Sequence, residues 1–293
     1  MGVFFVYHHK FDAAWGSEYP LIDPARSFIP QEDFIVNIQP LRNKLVDLAA
    51  AAERGGLKVS LYFEFLNTGA NVSINKELKV WPASLPKVPM AMIVMSKVEQ
   101  GLWSLDKEFV LEESDKEDKR YGSLWRRPTG TRFAAEELMR LMLVESDNTA
   151  YRILLRNTVI DDHLAVVGEI GLEDMFGAGG RISAKEYSRI LRALYTSSYL
   201  KRESSQYILS LMSQSIFKDY LAAPIPKDIL VAHKFGQQIE HNAHLDAGIV
   251  YVPSRPYMLV VAIEGTGAEG EQERVEALMH DVSKAAYDYI SAY

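Results

Sequence analysis

The 293-residue sequence contains no cysteine. That excludes disulfides, thiolate metal sites and a cysteine nucleophile, while leaving the redox compartment open. No stretch approaches the roughly 20 consecutive apolar residues that a spanning helix needs. The apolar start, Met1-Gly2-Val3-Phe4-Phe5-Val6-Tyr7, is too short to span and runs into His8-His9-Lys10. It reads either as the tail of a removed signal or anchor segment or as an edge strand or loose terminus. Basic charge is also scarce. There are 32 Lys and Arg against 39 Asp and Glu, and the densest basic patch is only Trp125-Arg126-Arg127. Nucleic acid is therefore not an expected partner. Internal repeats and low-complexity linkers are missing as well.

What is present is an ordinary globular composition, 48% hydrophobic and 24% charged, with enough length for a sizeable core. Residues 1–39 read as an irregular segment broken by Pro20, Pro24 and Pro30. Apolar residues at 41, 45, 48 and 52 then mark a helical stripe ending at Gly55-Gly56. Alternation from Leu57 to Leu66, a turn at Asn67–Asn71 and a short run at Val72–Ile74 predict two strands. Helices follow over 85–100, 134–145, 149–156 and 160–170, then one opened by the capping box Ser183-Ala184-Lys185-Glu186, and another near 207–212. Strand-like stretches at 229–234, 248–252 and 257–263 precede a long amphipathic helix, Glu271 to Ile290. This order predicts an α/β (α+β) fold. An antiparallel five-stranded sheet would be flanked by N- and C-terminal helices, with an all-helical subdomain inserted between strands. The expected layout is one domain over 40–290, with a sheet subdomain at about 40–83 and 215–290 and a helical one at about 84–214. A cleft where the two meet is the natural place for a site.

Three short motifs carry chemistry. Ser84-Leu85-Pro86-Lys87 opens an apolar helix, and residues three apart lie on one helical face. A lysine in an apolar pocket loses its charge more easily and, as a free amine, takes the proton of a serine hydroxyl. Backbone N–H groups at the helix start point where an oxyanion forms. The competing reading is an N-capping serine and a surface lysine. In Ser146-Asp147-Asn148, between two helices, Ser146 suits a proton relay and Asn148 an amide binder, although these residue types also suit a loop and N-cap. Lys234-Phe235-Gly236 sits on an apolar strand. There Lys234 would attract a carboxylate, Gly236 would let a substrate backbone approach, and the N–H of Gln237 would complete an oxyanion hole.

In order and spacing these motifs resemble the S-x-x-K, S-D-N and K-T-G set of class A β-lactamases and penicillin-binding serine hydrolases. The flanks Pro86-Lys87-Val88-Pro89-Met90 and Arg140 to Ala150 agree, and the resemblance covers roughly residues 40–290. It implies that Ser84 is the acylated nucleophile and Lys87 its base. It further implies that Ser146 shuttles a proton beside Lys234, that Asn148 holds a substrate amide, and that the N–H groups of Ser84 and Gln237 form the oxyanion hole. No cofactor and no metal are implied. The implied partner is a small-molecule β-lactam or a peptidoglycan-type peptide. A monomer is expected, working outside the cytoplasmic membrane, with the export or anchor segment absent from this chain. A D,D-peptidase or esterase, and a sensor that binds without turnover, are the alternatives.

Two departures from the resemblance stand out. Phe235 occupies the position where the family has a hydroxyl that helps bind the substrate carboxylate, so recognition there should be weakened or reshaped. Ser84 and Ser146 are 62 positions apart, as the family would have it, but Ser146 and Lys234 are only 88 apart. The shortage falls between Ile170 and Ser183, where class A enzymes carry a loop with a deacylating glutamate in an E-x-x-L-N context. Residues 171–182 contain no such motif, and Glu173 or Asp174 would have to substitute. Slow hydrolysis of the acyl-enzyme is therefore expected. Among lesser features, His233, His241, His244 and Asp246 suggest a metal site, but solvated or edge histidines are the preferred reading. Tyr121-Gly122-Ser123 would rim the cleft or form a plain surface loop, and Met90, Met92 and Met95 read as core packing.

Overall fold

A computed structural model describes residues 19–23, 37–172 and 180–292. Most of the expected irregular N-terminal segment therefore lies outside the described residues. Within it, Leu21 and Ile22 are buried against the core, and the Leu21 N–H donates to Gln206 Oε1 at 2.9 Å.

Helix α1 (Gln39–Arg54) begins with a proline in its first turn, where the missing N–H would have no partner in any case. It buries Leu41, Leu45 and Ala49. Strands β1 (Lys58–Phe65) and β2 (Ala70–Ile74) form the first hairpin. Helix α2 (Lys87–Glu99) follows, and then β3 (Glu108–Val110), which pairs with β4 (Arg132–Ala134). This small ribbon is not legible in the sequence, because three residues are too few to display a period. Helices α3 (Ala135–Val144), α4 (Asn148–Arg156), α5 (Ile160–Ile170), α6 (Ala184–Tyr195) and α7 (Arg202–Ser213) fill the middle of the chain. At the start of α6 the expected capping box forms. Ser183 Oγ accepts from the Glu186 N–H at 3.2 Å, and the Ser183 N–H donates to Glu186 Oε2 at 2.9 Å.

Strands β5 (Val231–Gln238), β6 (Ala243–Val250) and β7 (Tyr257–Glu264) and helix α8 (Glu271–Ser291) complete the chain. The five strands lie in the order β2-β1-β7-β6-β5, antiparallel throughout. Strands β5 and β6 are longer than their apolar runs suggested. Gln237, Gln238 and His244 continue the ladder through backbone pairing, which polar side chains do not prevent.

The sheet is covered on both faces. One face packs Phe63, Leu259 and Val261 against Leu41 and Leu45 of α1 and Val275 and Val282 of α8. The other packs Leu245, Val260 and Ala262 against Leu191 of α6, and that core continues into the apolar α2. Alternation along β5 therefore decides the site. Ala232 belongs to the helical side, Val231 and Phe235 to the other, and Lys234 points with Ala232 toward the helices.

Candidate active site

Ser84 lies in a tight turn immediately before α2, three residues ahead of the first helical residue. The N-cap of α2 is Pro86, and no side chain caps it, so Ser84 is not a capping serine. Ala83 just before it has φ 48°, a left-handed conformation that costs a non-glycine residue roughly 1–2 kcal/mol. Gly236 meets this turn. A Cβ there would stand 2.8 Å from the backbone nitrogen of Ser84, so only glycine lets β5 come this close. The close approach at Gly236 is thus made by the protein's own turn at Ser84.

Lys87 is not a surface lysine, being 3% exposed. Its Nζ lies 3.0 Å from Ser84 Oγ, 3.0 Å from Ser146 Oγ and 2.6 Å from the Ser146 carbonyl, and it also contacts Asn148 Oδ1. The carbonyl and the amide oxygen can only accept. A neutral amine donates to those two and keeps its lone pair for a serine hydroxyl. Burial, followed by the positive charge of Lys234, holds Lys87 well below the ordinary lysine pKa. The geometry and the charge environment agree on a free amine aimed at Ser84.

Ser146 occupies the bend between α3 and α4 with φ 54°, which is strained for a residue bearing a Cβ. That conformation sets Ser146 Oγ between the two lysines, 3.0 Å from Lys87 Nζ and 2.9 Å from Lys234 Nζ. Asp147 holds the bend. Its Oδ1 caps α4 by accepting from the Ala150 N–H at 2.8 Å, and its Oδ2 accepts from the N–H groups of Ser123 and Leu124 at 2.7 and 2.9 Å. Gly122 leaves room for this, since a Cβ there would overlap the carboxylate. Sequence reasoning gave Asp147 no task of its own. Its N-cap position was legible, but the two loop N–H groups come from a segment more than 20 residues away.

Lys234 is fully buried and donates to Ser146 Oγ and to the Phe235 carbonyl at 2.7 Å. Desolvation lowers its pKa to about 7. Phe235 is turned to the opposite face of β5, 2% exposed, with its ring stacked on Tyr220 at 4.0 Å and tilted against Phe217 at 5.4 Å. Of the side chains singled out in the three motifs, those of Ser84, Lys87, Ser146, Asn148 and Lys234 are joined by hydrogen bonds, whereas that of Phe235 is turned away from them. Gln237 accepts from the Tyr121 hydroxyl at 2.8 Å and donates to Gln272 Oε1 at 2.9 Å.

Tyr121 is thereby tied to β5. A second link lies beside it, where Arg120 donates to both oxygens of Glu240 at 2.9 and 2.8 Å and also pairs with Asp118. Asp118 in turn takes a hydrogen bond from Asn148, and its Arg120 partner holds its pKa at about 2. The histidines correct an expectation. His233 lies on the edge strand β5 but is fully buried rather than solvated, with Nδ1 2.9 Å from Asp246 Oδ1. His241 stacks on Trp81 at 4.2 Å, and His244 is buried. No group of residues that could hold a metal ion occurs among the described residues. Glu173 and Asp174 lie outside them.

A hydroxyl, an amine within hydrogen-bond reach, and a second hydroxyl bridging two lysines form a connected chain of groups able to pass a proton. The sequence and the fold have known counterparts. Over 246 residues the chain is 21% identical to beta-lactamase VEB-1 of Pseudomonas aeruginosa, covering 76% of this chain and 82% of that one. The structure of PBP-A superposes with a TM-score of 0.77 at 22% identity, over 87% of this chain and 97% of that one. A point mutant of PBP-A, solved as an acyl-enzyme complex with penicillin G, matches equally well, with a TM-score of 0.77 at 22% identity over 87% of this chain and 98% of that one. A beta-lactamase from Sphaerobacter thermophilus gives a TM-score of 0.77 at 20% identity, over 86% of this chain and 98% of that one. A family model described as the beta-lactamase enzyme family matches residues 40–290. With fold, motif order and that match in agreement, the chain belongs to the beta-lactamase enzyme family.

Proposed function

We propose that the protein is a serine acyl-transfer hydrolase that reacts with β-lactams or cell-wall peptide amides through an acyl-enzyme on Ser84, and that it deacylates slowly. The observation that carries this reading is the buried Lys87 Nζ at 3.0 Å from Ser84 Oγ. In the acylation step Ser84 Oγ attacks the substrate carbonyl carbon while its proton passes to Lys87. The carbon–nitrogen bond then breaks, and the departing nitrogen takes a proton from Ser146 Oγ, which Lys87 replenishes. Lys234 holds Ser146 in line, Asn148 orients the substrate amide, and the N–H groups of Ser84 and Gln237 receive the oxyanion. The acyl-enzyme that the PBP-A mutant forms with penicillin G supports a β-lactam as the acyl donor. Cell-wall peptides lie outside the cytoplasmic membrane, and the proposed place of action follows from that.

Slow deacylation rests on the carboxylates. Asp147 is committed to three backbone N–H groups, and Asp118 is clamped by Arg120 with its pKa held at about 2. Neither is a base for a hydrolytic water, and residues 171–182 contain no E-x-x-L-N. The test is the intact mass of the protein after exposure to benzylpenicillin, beside Ser84→Ala. A persistent adduct on the wild type alone is the expected result. Rapid disappearance of the drug with no adduct would overturn slow deacylation, and an adduct on Ser84→Ala would overturn the choice of nucleophile.

A further inference from the structure

The leaving-group side of the cleft differs from what the resemblance implies. Where a hydroxyl would help to bind a carboxylate, Phe235 is turned away and locked into a stack with Tyr220. Phe217 packs on Phe235 at 5.4 Å and also reaches the site itself. Its ring centre lies 5.6 Å from Lys234 Nζ and 5.8 Å from the edge-on ring of Tyr121. Lys234 therefore faces an aromatic ring, and its two hydrogen bonds go to Ser146 Oγ and the Phe235 carbonyl. The nearby guanidinium of Arg120 is matched by two carboxylates, those of Asp118 and Glu240. Beside Phe217, Ile216 is 60% exposed, which extends the apolar surface outward. A carboxylate placed here would lose hydration and find no hydroxyl at position 235, whereas an apolar group would bury ring area at no such cost.

We propose that Phe217 and Tyr121 form an aromatic leaving-group subsite beside Lys234, and that this site takes acyl donors whose leaving group is uncharged and aromatic or apolar. A β-lactam's carboxylate then contributes little to recognition. The inference rests on Ser84 being the nucleophile. It is supported by the lowered pKa of Lys234, about 7 through burial, which leaves that residue only partly charged at neutral pH.

The test compares benzylpenicillin with its benzyl ester, which differ only at the carboxylate. Second-order rates of Ser84 acylation are read by quenching and intact mass on the full chain. The expected result is an ester at least as fast as the acid. Phe217→Ala should slow the ester about tenfold more than it slows the acid, as the loss of an apolar contact does. Phe217→Leu keeps the apolar volume and should retain most of the ester rate, which separates loss of the subsite from a folding defect. An acid more than tenfold faster than the ester overturns the subsite while leaving Ser84 as nucleophile. Equal slowing of both compounds by Phe217→Ala overturns it too. No adduct and no consumption of either compound overturns the subsite and the acyl-transfer reading together.

Discussion

Two clusters of charge are buried in this protein, and they are built on opposite principles. On the helical side of β1, Glu64 is wholly buried and receives both terminal nitrogens of Arg192 and the Tyr62 hydroxyl at 2.8 Å. Every charge there has its opposite. Around Ser84, two lysines are buried with a serine hydroxyl between them and, among the described residues, no carboxylate in direct contact with either. The paired cluster joins β1 to α6. In the other, burial lowers both lysine pKa values, and the charge of Lys234 lowers that of Lys87 further. Burial alone therefore does not mark a functional group. Burial without a counter-charge does.

Substitutions that act on one cluster and spare the other test that contrast. The largest effect belongs to Lys87→Met, which removes the base and should slow acylation by benzylpenicillin roughly 10²–10⁴-fold, measured by quench and mass. Its thermal stability should equal or exceed the wild type, because a buried lysine gives way to a side chain that costs nothing to desolvate. A large loss of stability in Lys87→Met would place Lys87 with the structural cluster. Arg192→Ala strands a buried carboxylate and should cost about 3–5 kcal/mol in urea unfolding, with the acylation rate of the folded fraction unchanged.

Lys234→Met sharpens the comparison through pH. Lys234 pushes the Lys87 pKa down, so its removal should let that pKa rise and move the acid limb of the acylation profile to higher pH. The same variant bears on stability. In the wild type, folded Lys234 gives up its proton at about 7, whereas an unfolded lysine holds it until roughly 10.4. Between those values the unfolded state binds more protons, so stability rises with pH, and it is lost as pH falls toward 7. Denaturant midpoints across pH 7–10 should be flatter for Lys234→Met than for the wild type. The smallest effect is that of Tyr121→Phe. It deletes the bond to Gln237, so acylation should change a few-fold while stability moves by about 1 kcal/mol at most.

Helix α1 was legible because Leu41 and Leu45 repeat at helical spacing, and α6 because Ser183 and Glu186 form a capping box. The ribbon of β3 and β4 was not, since each strand has only three residues. In the site, residue types at fixed spacing singled out Ser84, Lys87, Ser146, Asn148 and Lys234. Their partners across the chain left no such mark. Phe217 is one more aromatic in a loop, and Arg120 one more exposed cation, until the fold sets them beside Lys234 and Glu240.

The sequence by itself determined which hydroxyls and amines are available and in what order, because chemistry needs particular side chains and short motifs hold them together. Tertiary structure decided what those groups are. Only the closing of β5 against the turn at Ser84 puts two lysines in one dry space and lowers their pKa values. Only the alternation of one strand sends Lys234 to the cleft and Phe235 to the opposite core. A protonation state is set by the surroundings of a group, and those surroundings exist only after folding.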